Sequence, residues 1–233
     1  MERVNEYDLT ILMPCRDEEK TVGICVEKAK KYIEQNEISA EILVVNNSST
    51  DNSAEVARRS GARVVNVKKP GYGRTLRAGL KASRGRVIIM ADCDTTYDFA
   101  ETGKLYKPLV SGKYDMVIGN RYAGGMEKGA MPLSHYWGVK GLSFLARKRF
   151  KTDVRDFHCG LRGLTRDGLE RIQEAGGFRT TGMEFATEMI AMSVKAGLRI
   201  GQVPVTLRRC RVERQSKLRT IRDGLRHLRY IFG

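Results

Sequence analysis

No stretch of the 233 residues approaches the roughly 20 apolar positions in a row that a membrane span needs. The opening residues, Met1 to Asp8, are polar and mixed in charge, so no secretory signal is expected. Five cysteines stand apart at positions 15, 25, 93, 159 and 210, with no Cys-x-x-Cys pair. An odd, scattered set argues against a disulfide framework or a zinc site and suits a reducing cytoplasm. Aromatic side chains make up only 7% of the chain. That is thin material for stacking bases, and no RNA- or DNA-binding motif appears, so nucleic acid is not the expected partner. A Gly-Lys-Ser/Thr phosphate loop is missing as well. The segment Gly71-Tyr72-Gly73-Arg74-Thr75-Leu76 lacks the third glycine of a dinucleotide fingerprint and follows Pro70, which argues against a Rossmann cofactor site.

What is present is positive charge. The formal net charge is +15, which calls for a polyanionic neighbour: nucleic acid, a phosphate-rich substrate or an acidic membrane. From Leu207 to Gly233 nine Arg or Lys face two acids, so +7 of the +15 sits in the last 27 residues. The hydrophobic content of 41% suits one sizeable domain, or a domain with an appendage.

Short apolar runs at 9–13, 41–45, 62–67, 87–90 and 116–118 read as strands. Helical patterns lie between them, over about 22–33, 53–59, 71–82 and 103–111. Such alternation predicts an α/β fold with a mostly parallel central sheet flanked by helices. Residues 123–131 are glycine-rich and without period, which suggests a mobile loop. Helices are expected over 132–150 and 184–196. A last strand, 200–207, is interrupted by Pro204 and so belongs near a sheet edge.

In open α/β sheets, ligands sit beyond the carboxyl ends of the strands. Three polar loops fall there: after Met13, after Val45 and after Met90. The third is the most informative, because Val87-Ile88-Ile89-Met90-Ala91 runs straight into Asp92-Cys93-Asp94. Carboxylates at the end of a buried strand need compensation, and a divalent cation carrying a diphosphate would supply it. The bland alternative is a loop that caps the next helix at Asp98. The segment Asp156 to Arg162 mixes polar and apolar residues like the wall of a site. Glu184 and Glu188, four apart, either serve that site or pair with Lys195 and nearby arginines.

Taken together, these segments resemble the family 2 glycosyltransferases of GT-A (nucleotide-diphospho-sugar transferase) fold. They look most like the dolichyl-phosphate mannose and glucose synthase group. The resemblance rests on Met13-Pro14 through Glu19, Val44-Val45 through Asp51, Gly71-x-Gly73, Asp92-x-Asp94, Gly119-Asn120-Arg121-Tyr122, Cys159-Gly160-Leu161-Arg162, Val203-Pro204 and Ser216-Lys217. It implies a catalytic domain over 1–207, with a nucleotide-sugar half to about 120 and an acceptor half from 121. A basic segment, 208–233, would follow.

The resemblance also implies roles. Pro14, Arg16, Glu19, Asn47, Ser49 and Gly71 would surround the nucleotide. Asp92 and Asp94 would hold ribose, diphosphate and Mg²⁺ or Mn²⁺. Arg121, His135, Arg162, Arg211, Ser216 and Lys217 would hold the phosphate of a polyprenyl-phosphate acceptor. UDP-glucose is the expected donor and GDP-mannose the alternative; a soluble or polysaccharide acceptor is the rival to the lipid. A phosphate monoester is largely ionised near neutral pH, with a second pKa of about 6. Transfer to it would be a single in-line displacement with inversion, without an essential carboxylate base. A base-dependent variant would use Asp156 or Glu184.

At about 100° per residue, Leu218, Ile221, Leu225, Leu228 and Phe232 fall within an arc of about 80°. Arg219, Arg222, Arg226 and Arg229 flank that stripe. Such a helix lies on anionic lipid at the inner face of the membrane, or packs on the domain with a solvated basic face.

Overall fold

A computed structural model describes residues 6–210, 212 and 220–233. Seven strands form one sheet: β1 (Tyr7–Cys15), β2 (Ala40–Asn46), β3 (Arg63–Asn66), β4 (Gly85–Met90), β5 (Met116–Asn120), β6 (Arg162–Thr165) and β7 (Ile200–Pro204). Their order across the sheet is β3-β2-β1-β4-β6-β5-β7. Every pairing is parallel except those of β6, which runs antiparallel to both β4 and β5.

The helices are α1 (Val22–Gln35), α2 (Ser53–Arg59), α3 (Tyr72–Ala82), α4 (Thr102–Val110), α5 (Arg121–Gly124), α6 (Leu133–Phe150), α7 (Arg166–Glu174), α8 (Phe185–Lys195) and α9 (Thr220–Phe232). A parallel sheet covered on both faces needs strands that are apolar throughout. Leu9, Ile11, Leu12, Leu43, Val44, Ile88 and Ile89 are accordingly sealed from solvent. Pro204 ends β7, the last strand of the sheet, where a missing N–H costs no ladder bond.

Two features differ from the sequence expectation. Residues 162–174 form β6 and α7, neither of which was expected. Residues 123–131 are tied down instead of loose. Met126 bridges Leu207, Glu127 N donates to Leu207 O over 2.9 Å, and Arg209 N donates to the Glu127 carboxylate over 2.9 Å.

α9 packs on α6 and α8. Among its described side chains the buried ones are His227 and Ile231, about a third of a turn round from the centre of the apolar stripe. Ile221, Leu225 and Phe232 therefore face solvent, at 81%, 61% and 64% exposure. The helix is docked on the domain, and these three apolar side chains of the stripe point away from it. Leu218 and Arg219 lie outside the described residues.

Candidate active site

The loops after β1 and β2 are braced against each other before they meet any ligand. Asp17 N donates to Ser49 Oγ (3.0 Å), Thr50 N to Asp17 Oδ1 (2.7 Å) and Asn52 N to Glu19 Oε2 (3.0 Å). Ser49 and Glu19, expected at the nucleotide, knit these loops together and are not among the residues that border the cavity described below. Asn47 Oδ1 accepts from Gly71 N at 2.8 Å and so links the second loop to the start of α3.

Gly71 and Gly73 act as a seat for another segment. A Cβ on either would stand 2.5 to 2.7 Å from the carbonyl oxygens of Thr181 and Thr180, and Gly71 has φ +155°. Only glycine lets the 180–182 segment come this close, and Gly73 N donates to Thr181 O at 3.1 Å.

Pro14, Arg16, Asn47, Gly71, Asp92 and Asp94 border one cavity of about 480 Å³. Tyr72, Met183, Arg222, Asp223 and Arg226, none of them singled out as site residues from the sequence, continue its wall. A larger cleft of about 790 Å³ lies between α3 and α7, but no strand-end loop reaches it. The smaller cavity is the candidate site because it collects the loops after β1, β2 and β4.

At its floor Asp92 Oδ1 accepts from the Tyr72 hydroxyl at 3.4 Å. Burial first, and then the Asp92 charge, push the Tyr72 pKa well above its ordinary value. The phenol is therefore a donor to this carboxylate. Asp94 Oδ1 accepts from Thr96 N at 3.0 Å and from the Thr96 hydroxyl. Gly160 lies directly beneath: a Cβ there would stand 2.5 Å from Asp92 Oδ2. Asp98 also caps the turn at Phe99–Glu101, accepting from Ala100 N at 3.2 Å. The capping role and the cavity-facing carboxylates thus coexist.

Of the residues assigned to the acceptor phosphate, Arg121, Arg162 and His135 lie among the described residues. Arg121 is buried in a two-pronged pair with Asp156: Nε to Oδ2 and Nη2 to Oδ1, each 2.7 Å. Its backbone N also donates to Asp156 Oδ2 at 3.1 Å. Asp156 is fully buried, and both of its carboxylate oxygens are engaged by Arg121. Arg121 borders a separate groove of about 260 Å³, lined by Tyr122, Met126, Met131, Leu133 and Tyr136.

Arg162 is likewise buried, and its guanidinium donates to the carbonyls of Cys159 (3.0 Å), Ala186 (3.1 Å) and Phe157 (3.2 Å). It clamps the 156–161 segment to α8 and is not among the residues that border the donor cavity or the Arg121 groove. His135 sits in the first turn of α6, off the walls of both cavities. Arg211, Ser216 and Lys217 lie outside the described residues.

Glu188 caps the chain ahead of α8, accepting from Arg179 N at 2.7 Å and from the Thr180 hydroxyl at 2.5 Å. Lys195 is not its partner in these bonds. Glu184 Oε1 accepts from Arg226 Nη2 at 2.7 Å and from Gly182 N at 3.0 Å. Burial would raise the Glu184 pKa, but backbone hydrogen bonds and Arg226 outweigh it and hold the pKa below the usual glutamate value. Its Oε2 is buried with no hydrogen-bond partner among the described residues.

A family model for glycosyl transferase family 2 matches residues 10–173, which run from within β1 through β6. The chain belongs to this family.

It is 35% identical over 224 residues to the low-salt glycan biosynthesis hexosyltransferase Agl6 of Haloferax volcanii. That match takes in 96% of this chain and 52% of Agl6, so the family 2 chain spans about half the length of that relative. It is 29% identical over 201 residues to the dolichyl-phosphate hexose transferase of the same organism, covering 86% of this chain and 83% of the relative.

Among solved structures it resembles glucosyl-3-phosphoglycerate synthase of Mycobacterium tuberculosis in complex with Mn²⁺, UDP-glucose and phosphoglyceric acid. The TM-score is 0.72 at 19% identity, over 97% of this chain and 79% of that one. At that identity the likeness concerns the fold, which is GT-A.

Proposed function

We propose that this chain transfers a hexose from a nucleotide-diphosphate sugar, UDP-glucose or a close analogue, to a polyprenyl phosphate at a membrane surface. The observation that carries the donor half is the meeting of three strand-end loops around Asp92 and Asp94 in one cavity. The names of the two Haloferax relatives, a hexosyltransferase and a dolichyl-phosphate hexose transferase, support the reaction class and the lipid acceptor.

A divalent cation fits the donor set. Both carboxylates border the cavity, and hard oxygen ligands suit Mg²⁺ or Mn²⁺. Among the described residues no group of three or more His, Cys, Asp or Glu forms a ready-made cage. Two carboxylates completed by diphosphate oxygens and water is how Mg²⁺ is usually held beside a nucleotide. When bound, the ion would stabilise charge on the departing nucleoside diphosphate.

The chain's own residues do the rest. Asn47 and Gly71 hold the wall beside the nucleotide, and Tyr72 orients Asp92. Asp156 is committed to Arg121, in keeping with an acceptor phosphate that is already ionised and needs no base. The contribution of the protein is then orientation and charge compensation, with displacement at the anomeric carbon in line and with inversion.

The surface of α6 and α9 supports the lipid reading. Leu133, Trp137 and Phe144 on α6 are exposed, beside exposed Lys140, Lys148 and Arg149. α9 adds Ile221, Leu225 and Phe232 beside Arg222 and Arg229. Apolar side chains among cations match an anionic bilayer interface. No described helix is long and apolar enough to cross a membrane.

The test is transfer of labelled sugar from a panel of UDP- and GDP-sugars to polyprenyl phosphate in vesicles, with product followed into organic solvent. Asp94→Ala should lower the rate by about 100-fold or more. Full activity of that variant, or label appearing only on a water-soluble acceptor, would overturn the assignment.

A further inference from the structure

α9 presents three faces to three environments. The buried face carries His227 and Ile231, with His227 Nδ1 2.8 Å from Thr187 Oγ1 and 3.3 Å from His158 Nε2. A second face carries Arg222, Asp223 and Arg226 into the wall of the cavity that holds Asp92 and Asp94. Arg226 is fixed there by Glu184 at 2.7 Å and the Thr181 hydroxyl at 3.3 Å. The third face is the exposed stripe of Ile221, Leu225 and Phe232. One helix of 13 residues, about 20 Å long, therefore joins the donor cavity to the outer apolar surface.

We propose that α9 couples the donor site to an anionic lipid surface, and that Arg222 and Arg226 belong to the nucleotide-diphosphate site. This rests on the function proposed above and adds a regulatory link to it. A nucleoside diphosphate brings negative charge between the carboxylate pair and these two arginines. Cations on the wall facing Asp92 and Asp94 are where that charge needs compensation.

The occupant of the stripe is lipid of negative charge, because exposed Arg229 borders it and the last 27 residues carry +7. Seating the stripe restrains the helix and so holds Arg222 and Arg226 at the cavity; nucleotide in the cavity restrains the same helix from the other side. Each ligand then lowers the ordering cost of the other, and the coupling is equal in both directions.

The experiment is calorimetric titration of the full chain in Mn²⁺ with UDP or GDP, whichever gives the larger thermal shift. It is run alone, with phosphatidylcholine vesicles, and with vesicles containing phosphatidylglycerol. Anionic vesicles should tighten nucleotide binding by about 5-fold or more, the low end of ordinary allosteric coupling. In the Ile221→Glu, Leu225→Glu double variant the ratio of affinities with and without vesicles should fall to one. Arg222→Ala should weaken nucleotide binding in the absence of vesicles.

Protein that sediments with anionic vesicles yet binds nucleotide unchanged would overturn the coupling and leave the membrane reading standing. No sedimentation with vesicles would overturn both. Unchanged nucleotide affinity in Arg222→Ala, or a concentration-dependent dimer abolished by the stripe variant, would also overturn the proposal. If neither nucleotide binds, the donor assignment itself fails.

Discussion

Arg121 and Asp156, 35 residues apart in sequence, meet side-on with two 2.7 Å hydrogen bonds, the carboxylate fully buried and the guanidinium nearly so. A pair of this kind is stable as a unit, and removing one member strands a charge. Arg121→Ala should cost about 3–5 kcal/mol of stability, measured by urea denaturation. Arg121→Lys should recover only part of it, since an ammonium cannot span both carboxylate oxygens. Asp156→Asn should lose stability and activity together. A folded Asp156→Asn protein of wild-type stability without transfer would point to a base instead.

His158 and His227 predict a pH dependence. Burial first, then His227 and two arginines, hold the His158 pKa well below its ordinary value. Burial also lowers His227, to about 4; Glu184 and Asp223 pull the other way, while Arg226 and Arg162 lower it further. Both rings are neutral in the folded chain near pH 7. Below about pH 6.5 the unfolded state takes up protons that the folded state refuses, so stability falls from there towards pH 4. For His227 alone the loss approaches about 3 kcal/mol at the lower end. The urea midpoint at pH 5 should therefore lie below that at pH 7.5, by a margin that shrinks in His227→Gln.

Gly160 has no room to become alanine without moving Asp92, since the added carbon would meet Oδ2 at 2.5 Å and Tyr97 Cε2 at 3.0 Å. Gly160→Ala should lower metal-dependent nucleotide binding more than it lowers the melting temperature. Overpacking of this size costs about 1–3 kcal/mol. A thermal-shift series with and without Mn²⁺ separates the two effects.

Trp137, the single tryptophan of the chain, is 65% exposed on α6. Its emission should move to the blue when anionic vesicles are added, and should stay put with neutral ones. Lys140 lies 5.3 Å from its ring centroid, so Lys140→Glu should weaken the response.

How much of this was legible depends on where each residue's partner sits. The strands β1, β2, β4 and β5 announce themselves because they are apolar throughout, and Asp92 and Asp94 because they end such a run. β6 was missed since Arg162-Gly163-Leu164-Thr165 carries one large apolar side chain in four residues. Arg121 and Arg162 read as free cations because a carboxylate 35 residues on, or a carbonyl on α8, leaves no mark on the local sequence. For α9 the helical period was plain. Which face is buried was not, because His158 and Thr187 decide it from 69 and 40 residues away.

The reversed strand β6 has a consequence for how the molecule is made. It enters the sheet between β4 and β5, which are consecutive in sequence but not neighbours in space. Until residues 162–165 have left the ribosome, β4 presents an open edge of Val87, Ile88, Ile89 and Met90 to any other extended chain. The strands of residues 7–120 therefore do not by themselves make a finished sheet. It is completed only when the later part of the chain threads back into it.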